Sequence, residues 1–180
     1  MRRVPPRVAL ALQPTCRGFG FAVLDLTAKR LISWALREVV REEMDQRALP
    51  LVAKLIEYYS PNIVIVEDID HLYSKRRGRG RALVEGIVEV ADTMHVAVGR
   101  IPSINVRRHY RELGALNKDA RAQMIVKEFP ELRSVLPPLR NRIWLHQSDR
   151  MAVFDSVAFA LVFSAVNPSI QTLRHRRSAA

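Results

Sequence analysis

Val8-Ala9-Leu10-Ala11-Leu12, Gln13-Pro14-Thr15-Cys16-Arg17-Gly18 and Phe19-Gly20-Phe21-Ala22-Val23-Leu24-Asp25 read in succession as strand, tight turn and strand. Two apolar runs of strand length, separated by proline and glycine, make a hairpin. The short connection Thr27-Ala28-Lys29 leads to a third run, Arg30-Leu31-Ile32-Ser33-Trp34-Ala35-Leu36, so the chain opens as an antiparallel meander. Leu49, Val52, Ala53, Ile56 and Tyr59 then recur at helical spacing until Ser60-Pro61 ends the helix. Asn62 introduces Ile63-Val64-Ile65-Val66, four β-branched residues without polar alternation. Such a run suits a central parallel strand, because helices cover both of its faces.

Beyond that strand, Ser74-Lys75-Arg76-Arg77-Gly78-Arg79-Gly80-Arg81 holds five basic residues and two glycines in eight positions, which predicts a mobile cationic loop over 74–81. Val84, Ile87, Val88 and Ala91 mark one face of a second helix, His95-Val96-Ala97-Val98 a further strand, and Pro102 the return. Asn117 is placed to cap a third helix carrying Ala122, Ile125, Val126 and Phe129, closed by Pro130. Pro137-Pro138 marks a loop, and Ser148 is placed to cap a last helix running through Met151 to Val166. The fold class is therefore α/β: a mixed five-stranded sheet, three antiparallel strands followed by parallel ones, with helices on both faces.

The 180 residues, 48% of them hydrophobic, suffice for a single domain over 1–180 with a full core and a basic C-terminal tail over 168–180. A formal net charge of +11 points to a polyanionic partner, nucleic acid before an anionic membrane. The longest apolar run, Met151 to Val166, is interrupted by Asp155 and falls short of the roughly 20 residues that span a bilayer, so no membrane partner is expected. Met1-Arg2-Arg3-Val4-Pro5-Pro6 has no apolar signal core, and Cys16 alone forms neither a disulfide framework nor a zinc site. Both suggest a cytoplasmic protein.

The order of elements resembles the RNase H-like superfamily and, within it, the RuvC-type Holliday-junction resolvases, over nearly the whole chain. Gln13-Pro14-Thr15 with Gly18 and Gly20 is similar to that family's Asp-Pro-Gly strand-turn-strand opening. Ile65-Val66-Glu67 is similar to its second strand-end carboxylate, and Asp155-Ser156-Val157-Ala158-Phe159-Ala160 to its closing helix. The resemblance implies a structure-specific endonuclease of DNA recombination, a hydrolase acting on branched DNA as a homodimer, with the apolar face around Leu83 to Val90 as a candidate dimer surface. It also implies Mg²⁺ or Mn²⁺: hydrolysis by two ions ~4 Å apart needs hard oxygen ligands converging from several segments.

By that resemblance the catalytic candidates are Glu67, Asp155 and Gln13, and the metal-ligand candidates Glu67 and Asp155, with Asp149 and Asp68 as further ones. The residues alone leave alternatives open. Glu67 with Asp68 and Asp70 also reads as a solvated acidic loop, and Asp155 as an N-cap accepting from Val157 or Ala158. Yet Asp155 is the sole ionisable residue between Met151 and Val166, and burying an unpaired carboxylate costs several kcal/mol, so it calls for a cation or strong donors.

Gln13 stands where the resembling family has its first aspartate, and a neutral amide offers a single weaker oxygen. Three explanations compete: a degenerate nuclease that only binds, an active enzyme recruiting Asp25, Asp68 or Asp149, and a sequence altered to trap substrate. Asp25 is a poor recruit, since it ends the second strand at the opposite edge from Gln13.

For nucleic-acid binding the candidates are Arg17, Lys75, Arg76, Arg77, Arg79, Arg81, Arg107 and Arg108, with further cations at Arg100, Arg111, Arg140, Arg142, Arg174, Arg176 and Arg177. Such contacts hold phosphates, are largely independent of base sequence and weaken with salt. Tyr73, Tyr110 and Trp144 are candidates to stack on unpaired bases, against the alternative of core packing. The five histidines show no zinc spacing, and Lys118 and Ser148 have no nucleophile partner. A non-catalytic nucleic-acid-binding or assembly protein on a decayed nuclease fold, and a basic protein-protein adaptor, are the competing classes.

Overall fold

In the computed structural model, which describes residues 7–39, 44–137 and 149–167, one five-stranded sheet runs β3-β2-β1-β4-β5. Its strands are β1 (Val8–Thr15), β2 (Gly18–Asp25), β3 (Arg30–Glu38), β4 (Ile63–Glu67) and β5 (Ala97–Ile101). β2 pairs antiparallel with both β1 and β3, whereas β4 runs parallel to both β1 and β5. The expected mixed sheet is present, and Ile63 to Val66 do form a fully buried strand with a parallel neighbour on each side.

Alternation along the strands sorts the core into two halves. Leu10, Leu12, Phe19, Phe21, Val64 and Val66 face α1 (Met44–Tyr59) and α2 (Gly78–Thr93). Ala9, Ala11, Ala22, Ile63 and Ile65 face α3 (Ser103–Glu112), α4 (Lys118–Glu128) and α5 (Met151–Val166). The second face is lined by small residues near β1, so α5, apolar all round and buried along most of its length, lies close over β1 and β2. Gly20 makes the approach possible: a Cβ there would stand 2.6 Å from the carbonyl carbon of Ala152. The single Ser156 hydroxyl proton lies within reach of the Ala152 carbonyl of its own helix at 2.8 Å and of the Gly20 carbonyl at 3.0 Å.

Several elements differ from the sequence expectation. β1 continues through Thr15, leaving Cys16-Arg17 as the turn, so Gln13 belongs to a strand and pairs with Gly20. β5 begins at Ala97, because His95 takes a left-handed backbone (φ 57°) and the Val96 amide turns back to the Ala91 carbonyl to finish α2. The cationic segment is a loop only as far as Arg77; Gly78 to Arg81 form the first turn of α2. Leu83, Val84 and Ile87, suggested as a dimer surface, are buried in the core. Two helical elements were unforeseen: α3, and a 3₁₀ turn over Pro130–Val135. Asn117 does cap α4, its side-chain oxygen accepting from the Ala120 amide at 2.8 Å.

Pro138, Arg140, Arg142, Trp144, His146, Ser148 and the tail over 168–180 lie outside the described residues. Among the described residues no helix is long and apolar enough to cross a membrane.

Candidate functional site

Ala11 of β1 lies opposite Ile65 of β4 in parallel register, and two residues further along each strand stand Gln13 and Glu67. Side chains two apart share a face, so both emerge on the side covered by α5, where the strands leave the core. Asp155, in the second turn of α5, meets the same place. Gln13, Glu67 and Asp155, far apart in sequence, thus line one cleft of about 420 Å³. All three are nearly buried, at 2%, 5% and 8% exposure.

The two carboxylates are already occupied by cations from the chain. The Arg76 guanidinium reaches in from the β4–α2 loop and uses three nitrogens at once. Its Nε donates to Glu67 Oε2 at 2.5 Å, Nη1 to the Pro14 carbonyl at 3.1 Å and Nη2 to Gln13 Oε1 at 2.9 Å. Arg76 is therefore folded into the site instead of waving in a loop. Asp155 accepts from Arg121 Nη2 and from Lys118 Nζ, the latter at 2.9 Å. Lys118 and Arg121 are three apart in the first turns of α4 and so share a face. Arg121 is itself 5% exposed, and its guanidinium carbon sits 5.8 Å from the centre of the Tyr110 ring. Burial raises the Tyr110 hydroxyl pKa above its ordinary value near 10, while Arg121 acts in the opposite direction. A ring this buried is core, which removes Tyr110 as a base-stacking candidate.

Both alternative readings of the acids fail. α5 starts at Met151, with the Ala152 and Val153 amides donating to the Asp149 and Arg150 carbonyls, so Asp155 is not its cap. Glu67 ends a buried strand and is not solvated.

The other predicted residues divide. Lys75, Arg76, Arg77 and Arg107 line the cleft. Arg79 and Arg108 are exposed outside it. Arg17 pairs with Asp149 and, less strongly, with Glu38, which raise its pKa, and Arg81 pairs with Asp70 and Glu85, with the same effect. Asp149 lies in an adjoining cleft of about 410 Å³ that shares Asp155, Arg76 and Lys118, but its carboxylate is engaged by Arg17 Nε at 3.0 Å. Asp68 points to its own loop, accepting from the Asp70 amide at 3.2 Å. Asp25 turns the chain at the far end of β1 from Gln13, accepting from the Thr27 and Ala28 amides. Sequence reasoning missed Lys118 and Arg121 as site residues. The signal was present: Arg121 interrupts the apolar face of α4, and Asp155 that of α5, with opposite charge.

A divalent pair needs several carboxylates free to converge on it. Here six cations, Lys75, Arg76, Arg77, Arg107, Lys118 and Arg121, face two carboxylates, both ion-paired, and one amide. Among the described residues no three His, Cys, Asp or Glu side chains converge as a metal-binding group. The donor set does not fit two magnesium ions.

No protein-family profile matches the chain, and no curated protein does. Solved structures do match, RuvC among them. The Thermus thermophilus RuvC structure superposes with a TM-score of 0.64 at 17% identity, over 89% of this chain and 96% of that one. T. thermophilus RuvC in complex with a Holliday-junction substrate gives a TM-score of 0.62 at 16% identity, over 89% and 95%. At that identity the likeness is one of fold: a mixed five-stranded α/β sheet with helices on both faces, shared with those structures.

Proposed function

We propose that this chain is a nucleic-acid-binding protein that uses the resolvase fold to hold branched DNA without cutting it. The observation that carries the reading is the Arg76 guanidinium between Gln13 and Glu67, which puts a fixed monovalent cation where two-ion chemistry would need free carboxylates. The surplus of cations around the cleft, with exposed Lys75, Arg77 and Arg107 at its rim, supplies the attraction for phosphates. The neighbour solved with a Holliday junction makes a four-way junction the first substrate to try. A homodimer is part of the proposal, since a junction offers two equivalent strands to a two-fold-symmetric partner.

A second reading, a Mg²⁺- or Mn²⁺-dependent endonuclease built on Glu67 and Asp155 with Gln13, draws on the convergence of those three side chains in one cleft. Junction binding followed by fluorescence anisotropy in EDTA and in magnesium separates the two. Equal affinity in both supports the binding protein; affinity that requires the ion supports the metal-dependent reading. An adaptor without nucleic-acid affinity would bind no DNA in either.

A further inference from the structure

Two buried polar atoms at the cleft have no partner among the described residues: Gln13 Nε2 and Arg121 Nε. Both are N–H donors on side chains that line the cleft, at 2% and 5% exposure. The orientation of the Gln13 amide follows from its network: Arg76 has only donors, so the amide turns its oxygen to Arg76 Nη2 and its NH₂ elsewhere. A buried donor without an acceptor costs roughly 1–3 kcal/mol, and it is a site's most direct statement of what it wants to bind. A cation offers nothing to an N–H group. An oxyanion is the kind of group that accepts from such donors.

We infer that the cleft is an anion site that takes a phosphate group directly, through Gln13 Nε2 and Arg121 Nε, with no divalent ion between protein and phosphate. The inference deepens the binding reading proposed above and rests on it for the source of the phosphate, an internal phosphodiester of the bound strand. Glu67 and Asp155 then act as positioning residues. Glu67 orients Arg76 and Asp155 orients Arg121 and Lys118, each carboxylate fixing a cation at the cleft wall. Since their charges are matched locally, the remaining cations leave the cleft attractive to an anion.

The test uses inorganic phosphate as probe, followed by calorimetry and by thermal shift at constant ionic strength, beside magnesium chloride and beside a four-way junction whose arms are closed by hairpins. Phosphate is expected to bind saturably and raise Tm, while magnesium does neither. Gln13→Leu, which keeps size and removes the donor, weakens phosphate about tenfold. Arg107→Ala, an exposed rim change that leaves the core untouched, weakens it several-fold and keeps the test open if the buried variant does not fold. Closed-arm junction binding as tight as that of a 5′-phosphorylated open one assigns the site to internal phosphodiesters; dependence on the 5′-phosphate overturns that assignment. Saturable magnesium binding without a phosphate response overturns the inference. Junction binding that persists with no phosphate response, and with Gln13→Leu unchanged, overturns it while sparing the binding reading. A phosphate response without junction binding does the reverse.

Discussion

Replacing Asp155 by alanine discriminates between an acid that serves its own cations and an acid kept for a metal. In the first case the Asp155 carboxylate is what makes Arg121 tolerable inside the protein, since the two side chains are 12% and 6% exposed. Removing one member of a buried pair leaves an uncompensated charge and costs about 3–5 kcal/mol. Lys118, at 45% side-chain exposure, regains water and adds little. For a chain of this size that loss corresponds to a fall in Tm of roughly 6–20 °C. Urea unfolding in EDTA, monitored by circular dichroism, reads it as a lower midpoint with an unchanged m-value. Asp155→Ala combined with Arg121→Met should regain much of the loss, because the stranded charge is gone, and the coupling is measured by the double-mutant cycle. An acid held close to other acids for a metal would give the opposite sign: without the ion, its removal relieves repulsion. Unchanged or raised stability of Asp155→Ala in EDTA would refute the reasoning.

The same geometry yields three shorter expectations. Gly20→Ala drives a Cβ to within 2.7 Å of the Val153 amide nitrogen, and a helix backbone cannot swing aside as a side chain can, so a loss of about 1–3 kcal/mol or more is expected in the same urea assay. Lys75→Ala, Arg77→Ala and Arg107→Ala should each reduce the slope of log affinity against log salt for junction DNA by about 1, with little change between DNA sequences. Tyr110 keeps its proton in the folded state above the pH at which the unfolded chain loses it, so its contribution is intact below about pH 10 and declines as pH rises further. Tyr110→Phe should flatten the alkaline fall in stability, by up to about 1.4 kcal/mol per pH unit.

Much of the fold was legible because periodicity states burial. Ile63 to Val66 announce a strand covered on both sides, and Ala122, Ile125 and Val126 announce a helix face. α3 stayed hidden because only Val106 and Tyr110 of its ten residues are buried, and the arginines between them look like a solvated loop. The start of β5 depends on the left-handed His95, which apolar pattern does not encode. In the site, Gln13, Glu67 and Asp155 were singled out by the resemblance to a resolvase opening, strand end and closing helix, and the fold brings the three into one cleft. What holds them was not legible, since Arg121 and Asp155 are separated by 34 residues and meet only because α4 packs against α5. Arg76 was counted among the cations of a flexible loop; its turn inward toward Glu67 is a three-dimensional event that leaves no mark on spacing.

The most direct test of binding without cutting is a single-turnover assay on a labelled four-way junction, with protein in excess, in magnesium, in manganese and in EDTA. A stable complex in all three and intact strands throughout are expected, for the unaltered chain and for Gln13→Asp, in which Arg76 still occupies the site. Metal-dependent strand cleavage by the unaltered chain that Glu67→Ala abolishes would contradict binding without cutting.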